Sequence, residues 1–424
     1  PPRSTLFPYT TLFRSGTSIK DIENIKRVAE ILDDYSDDSL IIVFSAMGKV
    51  TNMLEEVTEA YVKKNGKAEK KLKVVKDFHA HLIDKLFESD NSIYNEVNNL
   101  FVEIEWVLED EPNPDFAFNY DQIVSIGEML STKIMSAYLS EKGFKNSWLD
   151  ARGIIRTDNK YRNAKIDWKQ TITFCKDKIT YFPIITQGFI GGTSENFTTT
   201  LGREGSDFTA AILAFALDVK QVIIWKDVDG VLNADPRFFE ETEQLMKIPF
   251  KEAIELAYYG AKVMHPKTIQ PLQRKSIPLE VKSFINPNKD SSIIGDFENV
   301  EPFVPSYIVK ENQILISVSD KNLSFIVEEH LSSIFTLFAK YGVRVNMMQN
   351  SAISFSVCVD NDRHKVPTLL TALKENFEVH FNENLIMYTI RRYDEDSIAK
   401  LLINKELVLE QKSQNTIHLV VKDK

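Results

Sequence analysis

Glycine is scarce, 15 in 424 residues, and only Gly342 follows Gly295. A collagenous or glycine-rich low-complexity chain is excluded. Five of the fifteen (Gly188, Gly191, Gly192, Gly202 and Gly205) crowd into one short stretch, where the backbone must turn sharply or meet a ligand. Cysteine is scarcer still: Cys175 and Cys358, far apart, build neither a disulfide framework nor a thiolate metal site. The seven histidines do not cluster, which argues against a zinc centre or a histidine triad. No apolar run approaches the roughly 18 residues of a membrane span. Basic excess is also missing, with 51 Lys plus Arg against 61 Asp plus Glu and a net charge of −10, so no nucleic-acid partner is expected. What is present is an ordinary globular mix, 43% hydrophobic and 26% charged, long enough for two or three domains and suited to a cytoplasmic setting.

The N-terminus reads differently from the rest. Thr5–Ser15, TLFPYTTLFRS, lacks the basic and apolar regions of a secretory signal. It matches one reading frame of a widely used sequencing-adapter oligonucleotide. Residues 1–15 are therefore expected to be non-native, with natural sequence resuming at Gly16. The alternative is a natural aromatic strand, and the encoding DNA decides between them.

Helical and strand patterns alternate up to about residue 300. Ile22–Leu32 is amphipathic, Leu40–Phe44 (LIIVF) is a buried-strand run, and Asn52–Phe87 reads as largely helical. Its lysine-rich stretch, Lys63–Lys76, reads as a solvated face. Phe182–Phe189 and Gln221–Trp225 are further strands flanking a helix at Phe208–Ala216. This order predicts an α/β fold, a mainly parallel sheet sandwiched by helices, with ligands at the carboxyl ends of its strands. Ile285–Ser292 reads as turn and linker. Beyond Gln313, strand–helix–strand–strand patterns recur and predict two small α+β modules.

Three polar loops leave predicted strands. Ser45–Asn52 (SAMGKVTN) opens a helix without P-loop spacing, and is a ligand site or a plain turn. In Thr198–Ala211, Arg203 stands between Gly202 and Gly205, and Ser206 and Asp207 open a helix. A cap needs no such arginine, whereas a carboxylate or phosphate does. Trp225–Arg237 carries Asp227, Asp229 and Asp235, either turn residues or Mg²⁺ ligands without EF-hand spacing.

Taken in order, these loops make the chain resemble the aspartokinases of the amino acid kinase family. The stretches are Gly16–Ser18, VFSAMGKVTNML, SIGEMLSTKIMSAYL, ITQGFIGGT, TTLGREGSDFTAA, IWKDVDGVLNADPR and EAIELAYYGAKVMHPKTIQP. The resemblance implies an ATP- and Mg²⁺-dependent kinase acting on L-aspartate, at the entry to lysine, threonine and methionine synthesis. It implies a catalytic domain over 16–300 and tandem ACT domains, regulatory or dimerising, over 311–424. By motif, Ser45, Thr51, Glu128, Phe189, Arg203, Ser206 and Asp207 would line the aspartate pocket, with Arg203 on a carboxylate, Glu128 on the ammonium and Asp207 organising the reacting centre. Gly16, Thr17, Ser18, Lys226, Asp227, Arg237 and Lys262 would bind nucleotide, with Lys262 on phosphate oxygens. No protein metal site is implied.

The family's first strand ends K-F-G-G-T-S. Here Phe13 replaces that lysine and Ser15 the first glycine, and Arg14 falls on the opposite face, so impaired activity is expected. Glu204 stands for glycine, Lys226 for threonine and Leu232 for tyrosine. In the tail, Asn346, Gln349, Asn350 and Ser351 occupy an effector-binding stretch, with Asn346 replacing an acid and Ala352 a glutamate, so lysine inhibition is not expected. A homodimer through the tail is expected, and a fused dehydrogenase is not, because the sequence ends at Lys424. The alternatives are a dead kinase lobe serving an amino-acid-binding regulator, and a kinase for glutamate or acetylglutamate.

Overall fold

Leu40–Phe44 (β2) is apolar at all five positions and none of its side chains reaches solvent, as a strand covered on both faces requires. This is a computed structural model describing residues 9–13, 18–261, 264–322 and 324–424. The chain forms two compact units.

In the first unit, β2 belongs to an eight-stranded sheet with β1 (Tyr9–Phe13), β3 (Ser147–Leu149), β4 (Ile184–Gln187), β7 (Gln221–Lys226), β8 (Lys247–Pro249), β9 (Leu279–Ser283) and β10 (Ser292–Gly295). The order is β3-β4-β2-β1-β7-β9-β10-β8, parallel except that β10 runs antiparallel to β9. The small hairpin β5 (Ile190–Gly192) and β6 (Thr198–Thr200) lies apart. The helices of this part are α1 (Ile22–Asp33), α2 (Val50–Val62), α3 (Ala68–Leu86), α4 (Ile93–Glu109), α5 (Phe116–Val124), α6 (Ile126–Glu141), α7 (Trp168–Lys178), α8 (Gly205–Leu217), the start of α9 (Phe250–Tyr259), whose residues from Glu255 fall in the second unit, and α10 (Pro266–Arg274). From β1 the chain builds β2, β3 and β4 on one side and then returns to place β7 on the other, which makes the carboxyl end of β1 the crevice of the sheet.

The segment expected to be non-native supplies β1, seated centrally between β2 and β7. Phe13 is fully buried and stacks on Phe44 (5.4 Å) and on Trp225 (5.8 Å, 2° between planes). Arg14 and Ser15 lie outside the described residues. The helix expected over Asn52–Phe87 is two helices, broken where Lys64 and Gly66 take left-handed φ of 48° and 68°. Lysines of the basic stretch pair with nearby acids, Lys63 with Glu59 (2.8 Å) and Lys73 with Asp77 (2.9 Å), so that face is solvated. Ile285–Ser292 is the turn that leads from β9 into β10, with Ser292 already the first residue of β10. Burial pushes both cysteine thiols up to about 12, which leaves them inert.

The second unit takes in Leu232–Gln244, a run from Glu255 and Glu301–Lys424. Its sheet comprises β11 (Ser306–Asp320), β12 (Val345–Asn350), β13 (Ser354–Asp360), β14 (Phe377–Arg391), β15 (Lys405–Lys412) and β16 (Thr416–Asp423), all antiparallel, in the order β12-β13-β11-β14-β16-β15. Helices α11 (Glu328–Lys340) and α12 (Lys365–Asn376) cover one half, burying Ile334, Phe338 and Leu369 against Ile314, Ile316 and Val318. Helix α13 (Glu395–Leu401) covers the other, over Ile390, Ile417 and Leu419. The two modules are nested, not tandem from residue 311 as expected. Ser306–Lys310, which precedes the first module in sequence, pairs with Met387–Arg391 of the second. Apolar alternation marks these segments as strands but does not choose their partners.

Candidate functional site

Much of the site comes from strand ends and the helix starts after them, completed by residues of two consecutive helices. The Ser45–Lys49 loop joins β2 to α2, and Gly188–Phe189 joins β4 to β5. Leu201–Glu204 joins β6 to α8, and Glu128 projects from the first turn of α6. Together they enclose a cavity of about 530 Å³. All seven residues expected around a substrate lie on it: Ser45, Thr51, Glu128, Phe189, Arg203, Ser206 and Asp207.

Close backbone approach makes this possible. A Cβ at Gly188 would lie 2.5 Å from that of Ser206. Phe189 holds a left-handed φ of 70° while its N–H donates to Thr209 Oγ1 (2.9 Å). Glu204 also sits left-handed, at φ 57°, a conformation that glycine adopts freely and a side chain at a cost of about 1–2 kcal/mol. Asp207 is buried in the first turn of α8, where the helix N-terminus favours negative charge.

Glu128 is strongly perturbed by its surroundings. It is buried, its Oε2 has no hydrogen-bond partner, and burial pushes its carboxyl up to about 8 despite a bond from the Ala46 backbone. Ser45 Oγ is likewise buried without a partner. Two such polar atoms on one cavity wall leave room for a polar ligand.

Sequence reasoning did not single out Tyr120, Arg162, Thr200, Lys49 or Asn52, which also line the cavity. Asp121 ties two of these walls together. Its carboxylate accepts from Thr200 N (2.8 Å), Thr200 Oγ1 (2.7 Å) and Arg162 N (2.9 Å), while burial raises its pKa to about 6. We predict that Asp121→Ala, which orphans these donors, costs on the order of 2–3 kcal/mol. Asp121→Asn is expected to be close to neutral, because its amide nitrogen can donate to the Thr200 hydroxyl. Urea midpoints at constant slope check both.

The expected nucleotide residues are not gathered in the same way. Lys226 ends β7, buried, and the exposed Asp227 follows it. Arg237 belongs to the second unit, where Asp235 holds its guanidinium (Nε–Oδ1 3.0 Å). Asp229 is bound by Lys289 (2.7 Å), Ser283 (3.0 Å) and Asn286 (3.2 Å), which hold its carboxyl below the usual range. Asp229 and Asp235 are thus engaged within their own loops, and among the described residues no group of three or more His, Cys, Asp or Glu could hold a metal ion. Ser18 is buried, while Gly16, Thr17 and Lys262 lie outside the described residues.

In the second unit, Asn346 is engaged inside its own chain. It accepts from Lys310 Nζ (2.8 Å) and donates to Gln313 Oε1 and Asp360 Oδ1 (both 2.9 Å). Ser351 closes a turn with Ser354 (N–O 2.8 Å), while Gln349 and Asn350 are exposed at the end of β12. No helix among the described residues is long and apolar enough to cross a membrane.

A mainly parallel sheet with an anion-suited helix start and a buried acid at its carboxyl edge is the setting of a small-molecule site. Residues 15–283 match the amino acid kinase family. Lysine-sensitive aspartokinase 3 of Escherichia coli (strain K12) is 30% identical over 350 residues, covering 81% of this chain and 77% of that protein. Chloroplastic aspartokinase 1 of Arabidopsis thaliana is 32% identical over 369 residues, and the match spans 62% of its length. The crystal structure of E. coli aspartokinase III with aspartate and ADP superposes with a TM-score of 0.81 at 26% identity, covering 98% of this chain and 96% of that one. The chain belongs to the amino acid kinase family, on its aspartokinase branch.

Proposed function

We propose that this chain is an aspartate kinase, transferring the γ-phosphoryl group of ATP to the side-chain carboxylate of L-aspartate. Residues 16–300 form the catalytic part, and the tail from Ser306 the regulatory or dimerising ACT part of a homodimer. The observation that carries the reading is the buried, unsatisfied Glu128 sharing one cavity with Arg203, an acid and a guanidinium suited to the ammonium and a carboxylate of one amino acid.

A carboxylate is already a nucleophile, so no strong base is needed. Ser45, Thr51 and Phe189 orient the substrate, Arg203 and Glu128 fix its charged ends, and Ser206 and Asp207 organise the reacting centre. Lys226, Asp227, Arg237 and Lys262, with Gly16, Thr17 and Ser18, would hold ATP together with its Mg²⁺. Trapping the product as the hydroxamate with aspartate, glutamate and acetylglutamate tests this, and turnover of glutamate alone would overturn it.

Phe13 favours a second reading, a regulator with a dead kinase lobe, because an aromatic ring gives a moving phosphoryl group no positive charge. In the tail, Asn346 is neutral and both ends of its amide are already bonded. Millimolar lysine is therefore expected to leave aspartate phosphorylation unchanged, and a lysine titration of the coupled assay checks it.

A further inference from the structure

We propose that Arg162 is a second arginine of the substrate pocket, passing its guanidinium from Glu55 to a carboxylate of the bound amino acid. This rests on the substrate reading above and deepens it. L-Aspartate carries two carboxylates and one ammonium at neutral pH. Glu128 suits the ammonium, and Arg203 can hold only one of the two carboxylates.

Arg162 lines the same cavity from the opposite loop. Its backbone is fixed: the N–H donates to Asp121 Oδ2 (2.9 Å), φ is 62°, and its carbonyl oxygen lies 3.0 Å from where a Cβ on Gly202 would stand. The residue is therefore packed against the loop that carries Arg203. Its guanidinium carbon lies 4.1 Å from the centre of the Tyr120 ring, a cation–π contact that holds the side chain in place before any ligand arrives. One edge of that fork meets Glu55 (3.2 Å), and the two side chains are 44% and 36% exposed. An ion pair that exposed contributes little and is readily exchanged for a ligand carboxylate.

Calorimetric titration of L-aspartate into the full chain tests this without requiring turnover. Arg162→Gln is expected to weaken aspartate binding about 10- to 100-fold, with ATP affinity and Tm unchanged. Glu55→Gln leaves the Arg162 frame intact, removes the competing carboxylate and is expected to tighten aspartate binding. Arg162→Gln binding aspartate as tightly as the unaltered chain overturns the proposal. So does Glu55→Gln without tightening, which keeps the test decisive if Arg162→Gln does not fold. If the unaltered chain binds no aspartate, the substrate reading falls and this proposal with it. If it binds but both variants are indifferent, only the role of Arg162 falls.

Discussion

Placing lysine at position 13, as Phe13→Lys with Arg14→Phe and Ser15→Gly, is expected to raise the rate of aspartyl-phosphate formation by about 100- to 1,000-fold, the effect of one preorganised charge donor on a transition state. Strand β1 ends at the crevice of the sheet, where family resemblance puts a phosphate-binding lysine. The Phe13 ring there is absorbed in a stack with Phe44 and Trp225 and offers no charge. Lys226 does not replace it: Phe13 pairs with Trp225, so Lys226 is one residue further along the neighbouring strand and on its other face. A lysine stem can lie along the same rings and carry its ammonium past the strand end. The unaltered and substituted chains are compared by hydroxamate trapping, with Tm measured for each. Equal, appreciable rates would show that no first-strand cation is needed. Two folded but inactive proteins would favour the regulator reading.

Much of the fold was legible because its signals are local. LIIVF is apolar at every position and only five residues long, which suits a strand covered on both faces, and it is one. The glycines around residues 188–205 marked where backbone passes close to backbone, and Gly188 is such a place. The break between α2 and α3 was also written locally, in Asn65–Gly66, a turn signal that the surrounding helical periodicity obscured. Nesting of the tail modules was not legible, because it depends on which of several similar strands Ser306–Lys310 selects. Arg162 and Tyr120 escaped for a different reason. They lie in stretches with no ligand motif, and only the folding of Asp121 onto Thr200 brings them to the cavity. Phe13 shows how permissive a central strand position is: any apolar side chain satisfies the core, while the chemistry requires one particular charge.

Glu128→Gln is expected to weaken aspartate binding about 100-fold and, at the same time, to stabilise the ligand-free protein at alkaline pH. Both follow from one buried carboxyl whose pKa burial has raised from 4.5 to about 8. Between those values the unfolded chain has released a proton that the folded chain keeps, so the group makes stability fall as pH rises through the window, and the loss is complete above the folded pKa. Glutamine cannot ionise, so the Tm advantage of the variant should grow from about pH 5 to about pH 8 and then level off. Binding follows the same proton. An ammonium needs the ionised carboxylate, so below pH 8 the unaltered protein must release a proton to bind aspartate, and its affinity should rise up to about tenfold per pH unit before flattening. Titration in two buffers of different ionisation enthalpy counts that proton, and the variant should release none. A variant with the same Tm profile and the same proton release would show that Glu128 is ionised in the empty pocket. Its unsatisfied Oε2 would then have to be solvated from the cavity rather than held ready for a cation.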